Sequence, residues 1–298
     1  KIVRSINDSV AVSSTSLFAI SLLTDPTQAL NRETLKDRIS FFLTLLSESE
    51  RYKDVWITTK DPDEIIDRSE RLKFINHQLI GSDEVYRPSP KEVATLSFYK
   101  NNISHTFMLY SLICESVRYI EKISKAELYA LIQMVYPIVS REYFLQSSQI
   151  EGKEIENALK TLIEQGVLQS KESESYSKPD NNREHFYKYL SLCNICEPSL
   201  KRFYITMSVL WKNENISKEK FRTDCDLIAN ELERLEGWPY PEFSDKAKFQ
   251  NFIDLLITER YINEDNEMYS ASKVTLRAQE NYKAFFDRKF LELVQGIN

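Results

Sequence analysis

The sequence repeats one short pattern three times at a spacing of 93 residues. An apolar residue, a Ser or Asn and a cation follow one another at Leu30–Arg32, Ile123–Lys125 and Ile216–Lys218, and the steps 123 − 30 and 216 − 123 are both 93. Asn and Ser are favoured N-cap residues, and a glutamate follows each within the first turn, where the helix dipole favours an acid. The pattern therefore predicts three equivalent helix starts in three consecutive repeats.

Other sequence landmarks keep the same order around these helix starts. An apolar helix is predicted before each one, at Leu17–Leu23, Phe107–Cys114 and Phe203–Trp211. A later helix follows each start, and after it comes a polar stretch typical of a small hairpin, as at Gln169–Ser177 and Asn263–Ser270. This order is that of a winged-helix unit. We therefore expect a mainly α-helical protein of three tandem winged-helix-like helical units with small β-hairpins. We predict these units, the first, second and third repeat, at residues 1–90, 91–180 and 181–298.

Two segments are predicted as boundaries. Ser89–Pro90 separates the first repeat from the second, because Pro restricts the residue before it and cannot continue a helix. The polar segment Ser170–Glu184 is the clearest loop prediction in the chain, since Pro and Asn residues cluster in its middle.

The composition excludes several function classes. The 298 residues include 45 acidic and 39 basic side chains, for a net charge of −6. Nucleic acids are bound through clustered cations, yet the predicted third helices of the first two repeats, Asp61–Ile75 and Glu151–Glu164, carry more acids than bases. We therefore expect no nucleic-acid partner. The five glycines lie too far apart to form a phosphate-binding loop. No apolar run approaches the roughly 18–20 residues that span a bilayer.

The cysteines predict neither a metal site nor a redox site. Cys193 and Cys196 form a CxxC pair without a second pair, whereas zinc needs four ligands. A redox CxxC instead follows a strand, and no strand is predicted before this one. We therefore expect inert thiols and no bound metal.

One polar cluster precedes the apolar run Phe107–Cys114. Its members are Tyr99, Lys100, Asn101, Asn102 and His105. If a helix begins near Asn101 or Asn102, Asn101 and His105 share one face at i, i+4. One interpretation is an Asn cap beside a buried, hydrogen-bonded histidine. The other is a polar contact to a second domain or to a charged ligand, with Lys100 as the cation.

The run Tyr-Lys-Asn-Asn-x-x-His, followed by an apolar helix, carries a family resemblance. It resembles a segment of the membrane-bound, PlsB-type glycerol-3-phosphate acyltransferases, downstream of their catalytic motif. The segments Val135–Pro137 and Arg202–Thr206 also resemble this family, and the matching segments stand in order along nearly the whole chain. Tyr110 departs from the family, which tends to have Pro there. The resemblance implies a carboxy-terminal region of such an enzyme.

The resemblance also implies what the parent enzyme does. It would transfer a fatty acyl group from acyl carrier protein or coenzyme A to the 1-hydroxyl of glycerol 3-phosphate, which is the first step of phospholipid synthesis. It would need no cofactor. It would work at the cytoplasmic face of a bacterial inner membrane. The partner implied for this chain is the catalytic acyltransferase domain of the same polypeptide, and membrane association would be peripheral and made through the parent.

The catalytic motif of the resembled family, His-x-x-x-x-Asp, is missing from the chain. The fifth residues after the three histidines His77, His105 and His185 are Ser82, Tyr110 and Leu190. We therefore expect the chain alone to be inactive and the polar cluster from Tyr99 to His105 to be an inter-domain or ligand contact. The alternative from another class is a stand-alone winged-helix scaffold for protein interactions.

Overall fold

The computed structural model describes residues 11–171, 174–180, 182–236 and 246–297. The protein is mainly α-helical with small β-sheets, which confirms the predicted fold class. Its contacts form two compact units. The first holds the described residues up to Val117 and the stretch Glu121–Cys196, and the second holds Arg118–Ile120 and the residues from Glu197 onward.

The first repeat alternates short strands with helices. In order, its elements are β1 (Ala11–Val12), α1 (Ser14–Leu23), β2 (Leu30–Asn31), α2 (Arg32–Glu48), β3 (Trp56–Ile57), α3 (Pro62–Arg71), β4 (His77–Ile80) and β5 (Asp83–Tyr86). All ten residues of α1 are buried, and α2, α3 and the next helix pack against it. Helix α1 is therefore the centre of this part of the core.

The second repeat follows the same order. Its elements are α4 (Pro90–Ser104), a 3₁₀ turn (His105–Phe107), α5 (Met108–Val117), β6 (Ile123–Ser124), α6 (Lys125–Glu142), α7 (Gly152–Glu164), β7 (Gln169–Lys171) and β8 (Ser175–Ser177). The long helix α8 (Arg183–Lys212) comes next.

The third repeat continues the pattern. Its elements after α8 are β9 (Ile216–Ser217), α9 (Lys218–Glu236), α10 (Lys246–Thr258), β10 (Ile262–Asp265), β11 (Met268–Ala271), α11 (Lys273–Tyr282), a second 3₁₀ turn (Lys283–Phe285) and α12 (Arg288–Ile297). The three helix starts predicted at the 93-residue spacing are confirmed by α2, α6 and α9. At α6, Ser124 and Glu127 form a reciprocal capping box.

Each repeat builds a three-stranded antiparallel sheet with the same strand order. The two-residue strand before the capped helix pairs with the second hairpin strand, giving the orders β2-β5-β4, β6-β8-β7 and β9-β11-β10. A tyrosine stands opposite the repeat's first apolar residue in all three, in the pairs Leu30 with Tyr86, Ile123 with Tyr176 and Ile216 with Tyr269. Such cross-strand pairs stabilise a sheet and fix its register.

Three sequence predictions need correction or stay open. No helix begins near Asn101, because the Ser89 capping box starts α4 at Pro90 and the helix runs to Ser104. The segment Ser170–Glu184 is not all loop: strand β8 lies inside it, and α8 has begun before its end. The division into three units at residues 90 and 180, and their winged-helix character, stay predictions.

Candidate functional site

The polar cluster of the sequence lies in the last turn of α4 and the 3₁₀ turn that follows. Helix α4 is started by Ser89, whose side chain accepts a hydrogen bond from the backbone N–H of Glu92. Neither Gly nor Pro occurs between residues 91 and 104 to end the helix earlier. The cluster therefore marks the end of a helix, and none of its members caps a helix start.

The five predicted site residues differ in their exposure to solvent. Lys100 and His105 are buried, and Asn101 and Asn102 are exposed. Tyr99 is half-buried, and its ring meets the rings of Phe74 and Phe98 edge-on at centroid distances of 4.9 and 5.6 Å. Asn101 and His105 are four residues apart, the spacing that would place them on one face of a helix. The chain turns between them, and Asn101 is exposed to solvent whereas His105 is buried in the core. The five side chains therefore do not converge on one point.

His105 lines a narrow cleft between the first and second repeats, inside the first compact unit. Its ring lies edge-on to Tyr52 at 5.8 Å. The cleft is lined by the segment after α2, by the turn around His105, and by α6, α7 and the residues between them. The two repeats meet here.

Arg51 is one of the residues that line this cleft. Arg51 donates hydrogen bonds from Nη2 to Glu154 Oε1 at 2.8 Å and from Nη1 to the Tyr136 hydroxyl at 3.0 Å. Its Nε also lies 2.5 Å from Glu154 Oε2, so the carboxylate is held in a bidentate fork. Burial lowers the pKa of Arg51, but the bonds to Glu154 and Tyr136 more than offset this and raise it overall. We name these three residues the Arg51 clasp.

Further hydrogen bonds join the same two repeats beside the clasp. The Tyr110 hydroxyl donates to the carbonyl of Leu45 at 3.2 Å, and burial raises the pKa of Tyr110 to about 12. The side-chain amide of Asn157 donates to Glu50 at 2.7 Å. Sequence reasoning did not predict these contacts. Their partners lie 65 to 107 residues apart, and nothing local marks such pairs.

The other two histidines occupy structural positions. His77 Nδ1 lies 2.6 Å from Glu70, and this hydrogen bond raises the pKa of His77. The His185 ring covers Gly166, where an added Cβ would come within 2.5 Å of it. Gly166 also has φ of +68°, a left-handed conformation that glycine adopts readily.

The cations of the repeated pattern in the first two repeats, Arg32 and Lys125, form ion pairs with acids of the following helix. Arg32 lies 3.0 Å from Asp63, and Lys125 lies 2.7 Å from Glu156. These two acids are again 93 residues apart. The position 93 residues after Glu156 is Phe249, a buried apolar residue, so the third repeat has no acid at this place. This spacing of acids was available in the sequence, and it could have indicated the ion pairs.

The cysteines and acids of the described residues offer no metal site. All four cysteines are buried and none forms a disulfide, and burial raises the pKa of Cys114 and of Cys225. Within the described ranges, no three side chains of His, Cys, Asp or Glu come together in a way that could hold a metal ion. In the same ranges, no helix combines the length and apolar character needed to cross a membrane.

Comparison with known proteins gives the same family as the resemblance in the sequence. Residues 1–265 match the family model described as "Glycerol-3-phosphate acyltransferase C-terminal region". The chain belongs to this family. The match includes the polar cluster of α4, the Arg51 clasp and the first two repeated sheets, and it ends before strand β11 of the third sheet.

Curated relatives carry the same family name. The chain is 29% identical over 270 residues to the "Glycerol-3-phosphate acyltransferase" of Haemophilus influenzae (strain PittEE), covering 89% of this chain and 33% of that protein. It is 25% identical over 267 residues to that of Pseudomonas paraeruginosa (strain DSM 24068 / PA7), covering 89% and 32%. The chain thus spans about a third of the length of these relatives.

Proposed function

We propose that this chain is the non-catalytic carboxy-terminal region of a glycerol-3-phosphate 1-O-acyltransferase. The parent would move an acyl group from acyl carrier protein or acyl-CoA to the 1-hydroxyl of glycerol 3-phosphate, without a cofactor. The match of residues 1–265 to the carboxy-terminal family carries the proposal. The catalytic acyltransferase domain of the same polypeptide would be the direct partner.

The surroundings of the three histidines support a non-catalytic role. A histidine that takes a proton from a hydroxyl needs an orienting group and a place for the substrate beside it. His77 is engaged with Glu70, His105 with the ring of Tyr52, and His185 with Gly166. None of them has Asp at the fifth following position. We therefore expect the 298-residue chain to be inactive alone.

The predicted contact residues divide into two roles. Asn101 and Asn102 are exposed and Tyr99 is half-exposed, so these three would meet the catalytic domain. Lys100 and His105 are buried, so they would act by fixing the end of α4 against the rest of the first unit. The cytoplasmic face of a bacterial inner membrane is the proposed location, reached by peripheral association through the parent.

Variants of the parent enzyme test this role. We expect Asn101→Ala and His105→Ala to lower acyl transfer about three- to tenfold, because a loosened domain contact misplaces the substrate without removing a reacting group. Asn230, exposed on α9, supplies the control: Asn230→Ala should leave the rate unchanged. Loss of activity by more than about a thousandfold in a folded His105→Ala enzyme would place His105 in the chemistry and contradict the proposal.

The stand-alone winged-helix scaffold is the second candidate. The repetition of one small sheet in three consecutive repeats favours it, because structural repeats can build extended binding surfaces. The reading frame upstream of Lys1 separates the two. A His-x-x-x-x-Asp motif encoded there supports the acyltransferase, and a start codon directly before Lys1 supports the scaffold.

A further inference from the structure

A second cavity lies beside the start of α2, apart from the cleft of the Arg51 clasp. Its volume is about 490 Å³, which is large enough for a small metabolite. It is lined by the chain between α1 and α2, by the first turns of α2 and by the start of α8, all within the first compact unit. Its polar lining includes Asp25, Thr27, Thr34, Arg38, Arg183 and Tyr187.

Arg38 lines this cavity with a guanidinium that is only partly hydrogen-bonded. The side chains of Arg38 and Asp25 are each 1% exposed, and Arg38 Nε donates to Asp25 Oδ2 at 3.2 Å. Asp25 Oδ1 accepts hydrogen bonds from the backbone N–H and the hydroxyl of Thr27 at 3.0 and 2.7 Å. Arg38 Nη1 is buried and has no acceptor among the residues that the structure describes. Because a buried donor without an acceptor is costly, this end of the guanidinium can take an oxyanion from a ligand.

The other two repeats do without this arginine. At the 93-residue spacing, its place is taken by Leu131 in α6 and by Asp224 in α9. Both of these helices begin with the same cap pattern as α2, and their sheets have the same strand order as the first sheet. The shared fold therefore does not require a buried guanidinium here, and its presence indicates a role of the first repeat alone.

The rim of the cavity carries one further cation and one further acid. Arg183 is exposed, and its guanidinium lies over the ring of Tyr187 at 5.3 Å from the centroid. Glu184 is already engaged in an ion pair with Lys188. Asp37 is exposed and belongs to the same lining. The rim thus offers a positive group and a negative group to a ligand that carries both an acceptor and a donor.

We propose that this cavity binds a small carboxylate that also carries a hydroxyl or an ammonium group, as hydroxy acids and amino acids do. The carboxylate accepts hydrogen bonds from Arg38 and Arg183, since arginine pairs with carboxylates in a fork geometry. The neighbouring hydroxyl or ammonium group donates to Asp37. A phosphate dianion fits less well, because the carboxylates of Asp25, Asp37 and Glu184 belong to the same lining. The proposal concerns this chain's own cavity and does not depend on the acyltransferase proposal.

Calorimetric titration of the 298-residue chain tests the proposal. D-glycerate and L-serine serve as probes, because they share a carbon skeleton and differ in a hydroxyl against an ammonium group. We expect at least one of them to bind with a Kd on the order of 1 mM. Glycerol, which lacks the carboxylate, and inorganic phosphate should each bind at least about tenfold more weakly.

A variant of the rim acid separates the two ligand classes. We expect Asp37→Asn to weaken binding of L-serine about three- to fivefold and to leave D-glycerate unchanged, because only the ammonium group forms an ion pair with Asp37. Tighter binding of L-serine that Asp37→Asn removes would assign the cavity to amino acids. Tighter binding of D-glycerate would assign it to hydroxy acids.

Two arginine variants test the carboxylate contacts. Arg183→Gln should weaken binding about tenfold, because it removes a charged donor. Arg38→Lys keeps a positive charge beside Asp25 but removes the fork, and it should weaken binding at least as much. Arg277→Gln, at an exposed position on α11, makes the same charge change as Arg183→Gln and should bind as the unmodified chain does. Circular dichroism checks folding, and if Arg38→Lys does not fold, Arg183→Gln decides the test.

Three results would overturn the proposal. The first is absence of binding of both D-glycerate and L-serine to the unmodified chain. The second is binding of glycerol or of inorganic phosphate as tight as that of the better carboxylate. The third is unchanged binding in Arg183→Gln, or a loss in Arg277→Gln equal to that in Arg183→Gln. None of these results touches the acyltransferase proposal, so the two proposals fail separately.

Discussion

The first and third sheets have the same strand order but hold their repeat cation in different ways. In the first repeat, Arg32 at the start of α2 forms ion pairs with Asp63 and Asp67 of α3. In the third sheet, Lys218 binds Glu264 of the hairpin itself at 2.6 Å. The strand pairing is nevertheless the same in the two sheets.

In both sheets, the tyrosine opposite the repeat's first apolar residue is buried and packs against an aromatic ring. Tyr86 packs edge-on against Phe18 at 5.9 Å, and Tyr269 packs edge-on against Phe221 at 5.3 Å. Both tyrosines are buried, whereas the ion pairs are partly exposed. Because exposed ion pairs contribute little to stability, their partners can differ while buried aromatic packing keeps the sheet. The comparison predicts which substitutions act alike in the two sheets and which do not.

Removal of the shared tyrosine should give the largest effect. We expect Tyr86→Ala and Tyr269→Ala each to lower the local free energy of unfolding by about 3–5 kcal/mol, because both delete a buried aromatic side chain. Native-state amide exchange in β5 and β11 measures this in each sheet separately. The matched Tyr→Phe variants should retain most of the stability. A large loss at Tyr86 with almost none at Tyr269 would break the comparison.

The hairpin turns should give a smaller effect. Gly81 has φ of +67°, and Asn266 holds a similar conformation in the third hairpin at +52°. No atom lies within 4 Å of a Cβ added to Gly81, so Gly81→Ala should cost only the conformational penalty of about 1 kcal/mol. Gly81→Asn should cost less, since Asn tolerates this region. Chemical denaturation measures both. Gly296→Ala, in helix α12, is the control and should not destabilise.

Removal of the ion-pair acids should act on one sheet only. We expect Asp63→Asn to speed amide exchange in the first sheet and Glu264→Gln to do so in the third, each by less than the tyrosine variants. High salt should shrink both differences. Lys36 and Arg32 lower the pKa of Asp63 from 3.8 by hydrogen bonding. Its contribution is therefore present above that value and is lost as pH falls through the lowered pKa. Equal effects of one acid on both sheets would contradict the comparison.

A rise in pH should give the smallest effect and only in the first sheet. His77 stands opposite Tyr86, where the third sheet has Glu264 opposite Tyr269. Glu70 raises the pKa of His77, Glu84 also favours the charged form and Arg32 opposes it. The raised pKa means that stability is full below 6.5 and is lost as pH rises through the folded value. Amide exchange in β4 and β10 checks this. His77→Gln should abolish the dependence.

Local chemistry explains which parts of the fold could be predicted from the sequence. The helix starts at residues 32, 125 and 218 depend on cap residues a few positions away, so their pattern is visible in the chain. The hairpins were predicted because a short polar stretch follows a helix in each repeat. The helix start considered near Asn101 was wrong, because α4 already begins at Pro90. Ser89–Pro90 was predicted only as a boundary between the first two repeats. A capping box at Ser89 and a row of helix-compatible residues carried the helix through the polar cluster.

The candidate site was less predictable than the fold. Sequence reasoning grouped Lys100, Asn101 and His105, but burial follows from how α4 packs on α1, and that is decided by distant residues. The Arg51 clasp joins residues 103 positions apart. An arginine and a glutamate at that separation carry no local pattern. Only the fold brings them together.

The acyl-transfer activity of the isolated 298-residue chain tests the central claim most directly. The purified chain would be incubated with glycerol 3-phosphate and with either acyl-CoA or acylated carrier protein, beside the full-length parent as a positive control. We predict that the parent forms lysophosphatidate and that the isolated chain forms none above the protein-free background. Formation of lysophosphatidate by the isolated chain at a rate near that of the parent would contradict the non-catalytic assignment.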